Sequence, residues 1–155
     1  MNHQAHGQLP VGFFYPCDRM SSPAVLLVQL GTPDAPTARA LRRYLREFLG
    51  DPRVIEAPRL AWWFVLNFFI LPFRPSRSAA KYRRIWDAKE GSPLLYLTRR
   101  QTEALQNKLP NIPVRFGMQV GNPSVASVLR DLIAGGVDRL IVLPMYPQYS
   151  ATTNA

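Results

Sequence analysis

Ala24-Val25-Leu26-Leu27-Val28-Gln29-Leu30, running straight into Gly31-Thr32-Pro33, is the stretch that decides the fold. Six of its seven residues are apolar and do not alternate with polar ones, so it predicts a strand buried on both faces, as in a parallel sheet. Gly31 and Pro33 turn the chain sharply at the carboxyl end of that strand. Thr37 then stands where an N-cap belongs, ahead of Leu41, Leu45, Phe48 and Leu49 at helical spacing, and Gly50-Asp51-Pro52 stops the helix. Arg39, Arg42, Arg43 and Arg46 fill the rest of that helix and read as its solvated face.

Farther along, Ser92-Pro93 opens a helix through Leu94, Leu97, Gln101, Leu105 and Leu109, closed by Pro110. Residues 113–118 form a second short strand. Asn122-Pro123-Ser124 starts a helix with an apolar face of Val125, Val128, Leu129, Leu132 and Ile133, and Gly135-Gly136 ends it. Leu140-Ile141-Val142-Leu143 reads as a third buried strand. Strands and helices alternating with short loops give βαβ units, hence an α/β fold with a doubly wound parallel sheet, Rossmann-like in its winding. Ligands of such sheets bind beyond the carboxyl ends of the strands. A closed barrel of eight such units normally takes at least about 200 residues, and this chain has 155. Its last residue, Ala155, follows a strand closely, so the expectation is an incomplete domain over residues 23–155 behind a disordered leader at 1–22.

The balance of 47% hydrophobic and 19% charged residues is that of a globular protein. Nineteen cations against ten carboxylates leave a net +9, and sixteen of the cations are arginine. Guanidinium forks suit carboxylates and phosphates, so the surplus is compatible with nucleic acid, an anionic membrane surface or an acidic small molecule. A nucleic-acid role is disfavoured, since no such motif is present and the arginines read as scattered rather than gathered in a stripe. Cys17 is the only cysteine, and the only histidines are His3 and His6. An intrachain disulfide, a metal site built from this chain's His and Cys, and an iron–sulfur cluster are therefore not expected. The start of the chain has no secretory pattern, and a reducing cytoplasmic location fits.

Residues 60–73 crowd Trp62, Trp63, Phe64, Phe68, Phe69 and Phe73 into fourteen positions, with Asn67 the only polar side chain. Pro72 is expected to close the segment well short of the about 20 residues a membrane span needs. Arg59, Arg74 and Arg77 flank it, the pattern of an element lying in a membrane interface. An aromatic-rich core helix fits the same spacing, and periodicity does not separate the two.

The ordered series Leu30-Gly31-Thr32-Pro33-Asp34, Arg43-Tyr44-Leu45-Arg46-Glu47-Phe48-Leu49, Asp51-Pro52-Arg53-Val54-Ile55, the run from Tyr82 to Trp86, Gly91-Ser92-Pro93-Leu94, Gly121-Asn122-Pro123-Ser124 and the run from Leu143 to Ser150 resembles the amino-terminal half of bacterial ferrochelatases. The resemblance implies insertion of ferrous iron into a porphyrin, protoporphyrin IX or coproporphyrin III, in haem biosynthesis. It implies two similar α/β domains facing across a cleft, of which this chain supplies one. Porphyrin and Fe(II) would be the substrates, with no tightly bound cofactor. Porphyrin contacts carry over by resemblance to Leu30, Arg74, Tyr82, Ser92, Tyr149 and Ser150. Trp62, Trp63, Phe64, Phe68, Phe69 and Phe73 would form a hydrophobic lip, placing the protein peripherally on the inner face of the cytoplasmic membrane. Two departures stand out. Gln119-Val120 replaces an Arg-Tyr pair common in relatives, and the histidine and glutamate of the insertion centre have no counterpart here, so catalytic and metal residues are expected beyond Ala155 and the 155-residue chain alone is expected to be inactive. A non-catalytic, membrane-peripheral α/β module is the alternative.

Overall fold

The computed structural model describes residues 22–146. Nine elements follow in order: β1 (Pro23–Gly31), α1 (Ala38–Gly50), α2 (Arg59–Phe64), a π-helical segment (Val65–Ile70), α3 (Leu71–Ile85), α4 (Pro93–Lys108), β2 (Val114–Val120), α5 (Val125–Ala134) and β3 (Arg139–Pro144). The three strands form one parallel sheet in the order β2-β1-β3, with Val25 opposite Val114 on one side and opposite Ile141 on the other.

β1 lies in the middle, so alternate side chains meet different layers. Val25 and Leu27 join Val114 beneath Leu105 and Leu109, on the α4 side. Ala24, Leu26 and Val28 join Val128 and Leu132 on the α5 side. Helices on both faces make the sheet doubly wound, and the unbroken apolar run of β1 is the direct consequence. β3 differs from the expectation of a third buried strand: Ile141, Val142 and Leu143 are each about half exposed. It lies at an edge of the described sheet, where Leu140 packs on the α5-side cluster and the next three residues find little cover among the described residues.

The helices revise the expected stripes. Thr37 caps α1 as expected, its hydroxyl accepting from the Ala40 amide at 3.3 Å. The buried stripe of α1 also takes in Tyr44, while Phe48 is only partly buried. In α4 the buried positions are Thr98 and Thr102 rather than Leu94, Leu97 and Gln101, and Leu97 is exposed. These threonines tolerate burial because each hydroxyl donates one turn back, to the Leu94 and Thr98 carbonyls at 2.7 and 2.8 Å. In α5, Val128 and Leu132 are buried and Ile133 points outward.

The largest difference lies at 59–85. Pro72 does not end the aromatic segment. Helical structure runs on through Pro72 and Pro75 to Ile85. Between α2 and α3 the chain widens to the π register, with the Leu71 amide donating to the Leu66 carbonyl five residues back. The buried positions record the change. Leu66 and Leu71 are five apart, then Leu71, Pro75 and Ala79 follow at intervals of four. All but Pro75 belong to the cluster under Leu41, Tyr44, Leu45 and Leu49 of α1, which Val120 at the end of β2 also joins. Among the described residues no helix is long and apolar enough to cross a membrane.

Candidate functional site

The carboxyl ends of β1 and β2 are brought together by two glycines. Gly31 has φ of +115° and Gly121 has φ of +92°, conformations that L side chains seldom adopt. A Cβ on Gly31 would run into the Val120 carbonyl, and one on Gly121 would lie 2.8 Å from the Thr32 carbonyl oxygen. Side-chain-free backbone thus lets the loop after β1 lie against the loop after β2. Asn122 Nδ2 donates across the gap to Asp34 Oδ1 at 3.2 Å, and Asp34 also holds Arg43 in an ion pair. A polar cavity of about 170 Å3 opens here, bounded by Thr32, Asp34, Arg43, Tyr44, Glu47 and Asn122.

Ser92 reaches this region from a different direction. It occupies the N-cap position of α4, yet its side chain makes no cap hydrogen bond. Its hydroxyl lies 2.7 Å from that of Thr32, and both residues are buried. The pair ties the start of α4 to the loop after β1, sixty positions away in sequence. Leu30, half-buried, ends β1 just before that loop.

Arg74 and Tyr82 lie on α3, two turns apart, about 12 Å at the usual helical rise. Arg74 is exposed, and no ion pair engages it among the described residues. Tyr82 is half-buried against the α1 cluster and meets Trp86 edge-on at 6.4 Å. Burial raises the Tyr82 phenol above its ordinary pKa. The neighbouring Tyr44 phenol is pushed up to about 12, chiefly by burial and further by Tyr82 and Glu47. Both rings are neutral at physiological pH. The half-buried Tyr82 ring and the exposed Arg74 guanidinium on the same helix are of a chemistry suited to a planar, apolar ligand with carboxylates at its edge.

The structure therefore joins Ser92 to the loop that follows Leu30 and places Arg74 and Tyr82 together on α3. Tyr149 and Ser150 lie outside the described residues. Val120 is core, and Gln119 beside it is exposed. Thr32 and Tyr44 were not singled out by the sequence. The signal for Tyr44 was available, since it stands three residues after Leu41 and one before Leu45. That for Thr32 was not, because its partner is remote in the chain. Among the described residues no three His, Cys, Asp or Glu come together.

The aromatic segment divides. Trp62 is half-buried, its indole donating to the Leu49 carbonyl at 2.7 Å. Trp63, Phe64, Phe68, Phe69 and Phe73 are each at least half exposed. Trp63, Phe64 and Phe68 contact one another edge-on or stacked. Among the described residues, five of the six thus lie outside the core. The cations are also less scattered than expected. No carboxylate occurs between Glu56 and Asp87, and Arg74, Arg77, Lys81 and Arg84 recur along one exposed stripe of α3.

Comparison with known proteins agrees on one family. The ferrochelatase family model matches residues 22–155. Ferrochelatase of Chromobacterium violaceum is 55% identical over 136 residues, covering 84% of this chain and 37% of the relative. That of Herminiimonas arsenicoxydans is 52% identical over 154 residues, 97% of this chain and 39% of the relative. That of Pectobacterium atrosepticum is 55% identical over 131 residues, 84% and 41% respectively. The chain spans about two fifths of the length of these curated relatives.

Proposed function

The chain belongs to the ferrochelatase family, and from that premise we propose that the whole protein inserts Fe(II) into a porphyrin in haem biosynthesis. The observation that carries the proposal is the family match across residues 22–155. Insertion exchanges two pyrrole protons for one Fe(II), so the reaction needs a proton acceptor and a path for the metal. The described residues supply a different part, one wall for the macrocycle. Leu30 offers aliphatic surface at the sheet end. Tyr82 offers an aromatic face, and Arg74 a fork for a propionate. Ser92 acts through Thr32, holding the loop that follows Leu30. Tyr149 and Ser150 complete the set by resemblance.

The exposed aromatic cluster supports contact with a membrane surface, from which a poorly soluble porphyrin would be taken up. Five large exposed aromatics along the stretch from α2 to α3, three of them in mutual ring contact, present apolar surface of the kind that marks interaction sites. A cytoplasmic protein resting peripherally on the inner membrane face fits this arrangement. Coproporphyrin and protoporphyrin fit the same wall.

The proposal is tested by anaerobic incubation of this chain with ferrous iron and protoporphyrin, following porphyrin fluorescence against a protein-free control. The expected outcome is binding without insertion, and insertion once the remaining part of a relative is supplied. If the reconstituted pair inserts no iron while the intact relative does, the chain is the non-catalytic membrane module instead.

A further inference from the structure

Arg42 lies on the face of α1 that was read as solvated, yet its Nε donates to the Leu71 carbonyl at 3.1 Å. The reason lies four residues beyond Leu71. In a regular helix that carbonyl would accept from the amide of residue 75, and Pro75 has no amide hydrogen. Leu71 and Pro75 are both almost wholly buried, so water is a poor substitute. An unpartnered buried carbonyl is costly, and a charge-assisted donor is the strongest remedy available. Among the described residues Arg42 forms no ion pair.

A second cross-link runs the other way, from the Trp62 indole to the Leu49 carbonyl. Arg42 and Leu49 are seven residues apart on α1, so the two links leave the same side about 10.5 Å apart. Residue 42 meets 71 and residue 49 meets 62, so the two helices run antiparallel. The π-helical segment is bracketed between the links. Rotation of α3 about its own axis is the motion a wide π turn would permit, and it is the motion Arg42 opposes.

We propose that Arg42 is a positioning residue: by supplying the donor that Pro75 lacks, it fixes the rotation of α3 and so the direction in which Arg74 and Tyr82 are presented. The second half of that statement rests on the reading of Arg74 and Tyr82 as porphyrin contacts.

The test is a double-substitution cycle on this chain with two readouts, amide hydrogen exchange over residues 65–77 and protoporphyrin affinity by fluorescence titration. Arg42→Ala raises exchange there about tenfold, the effect of one charge-assisted hydrogen bond, and weakens porphyrin binding to a similar degree. Pro75→Ala alone leaves both close to the parent values. In the double variant Pro75→Ala restores both, because the new amide takes the Leu71 carbonyl and makes Arg42 dispensable. A merely structural loss would not be rescued by a proline-to-alanine change on another helix. If Pro75→Ala fails to rescue exchange, the positioning role is overturned. If exchange follows the cycle but the parent chain binds no protoporphyrin, the latch stands and the porphyrin reading of α3 falls.

Discussion

β1 and residues 60–73 are two strongly apolar stretches of the molecule, and they end in opposite surroundings. From Ala24 to Val28 no residue of β1 is more than 8% exposed, whereas Phe69 is 68% and Phe73 66% exposed. Composition does not separate them; geometry does. A central strand has two covered faces, so every residue finds a layer. A helix lying on α1 has one covered stripe, on which Leu66, Leu71, Pro75 and Ala79 are buried and Trp62, Ile70 and Tyr82 are partly buried. The π segment shifts the register by one residue, keeping Leu66 and Leu71 on the stripe and turning the aromatics out. The apolar strand thus serves stability, and the apolar helix presents a surface.

The contrast breaks most completely at the carboxyl end of β1. Gly31→Val meets both a φ of +115° and the Val120 carbonyl. It should cost more than about 4 kcal/mol, enough to abolish the cooperative unfolding transition of this chain. A variant melting like the parent would show that the β1 and β2 loops do not need their close approach.

Within the helix, the account separates neighbours. Leu66→Ala should cost about 3 kcal/mol by urea unfolding, as a buried leucine does. Phe69→Ser should stay within about 0.5 kcal/mol while reducing sedimentation with anionic vesicles. Equal costs for the two would place the aromatics in the core. A finer test uses one chemical change at adjacent residues. Trp62→Phe deletes the indole bond to Leu49 and should cost about 1 kcal/mol, whereas Trp63→Phe deletes none and should cost almost nothing.

Much of this division was legible in the sequence, and the failures have particular causes. The parallel sheet, the β1 run and the Thr37 cap followed from local patterning. The persistence of the helix through Pro72 and Pro75 did not, because a wide turn precedes Pro72 and the Leu71 carbonyl that Pro75 leaves is taken by Arg42, twenty-nine residues earlier in the chain. Leu94 and Leu97 looked like the inner face of α4 because leucine is more apolar than threonine. Thr98 and Thr102 are inside because their hydroxyls are satisfied within the helix. Of the candidate contacts, Tyr82 and Ser92 stand in the quoted series and Arg74 was carried over by resemblance, whereas the burial of Ser92 against Thr32 is a tertiary fact.

The effect smallest at neutral pH is confined to alkaline solution. Tyr44 has a folded pKa of about 12, above its unfolded value near 10. Its contribution to stability is full below pH 10 and is lost as pH rises toward 12, since the unfolded chain ionises first. Tyr44→Phe should flatten the stability profile in that window and leave it unchanged below pH 10. An unaltered alkaline slope would mean that Tyr44 is not the buried phenol at the α1–α3 contact.

The central claim is that α3 and the carboxyl end of the sheet form one wall of a porphyrin site. Its most direct measurement is an anaerobic titration of protoporphyrin with the parent chain and with Arg74→Ala. A single wall should bind with a dissociation constant on the order of tens of micromolar, and loss of the guanidinium fork should weaken binding about tenfold. Equal affinity for the two proteins, or no binding by either, would contradict it.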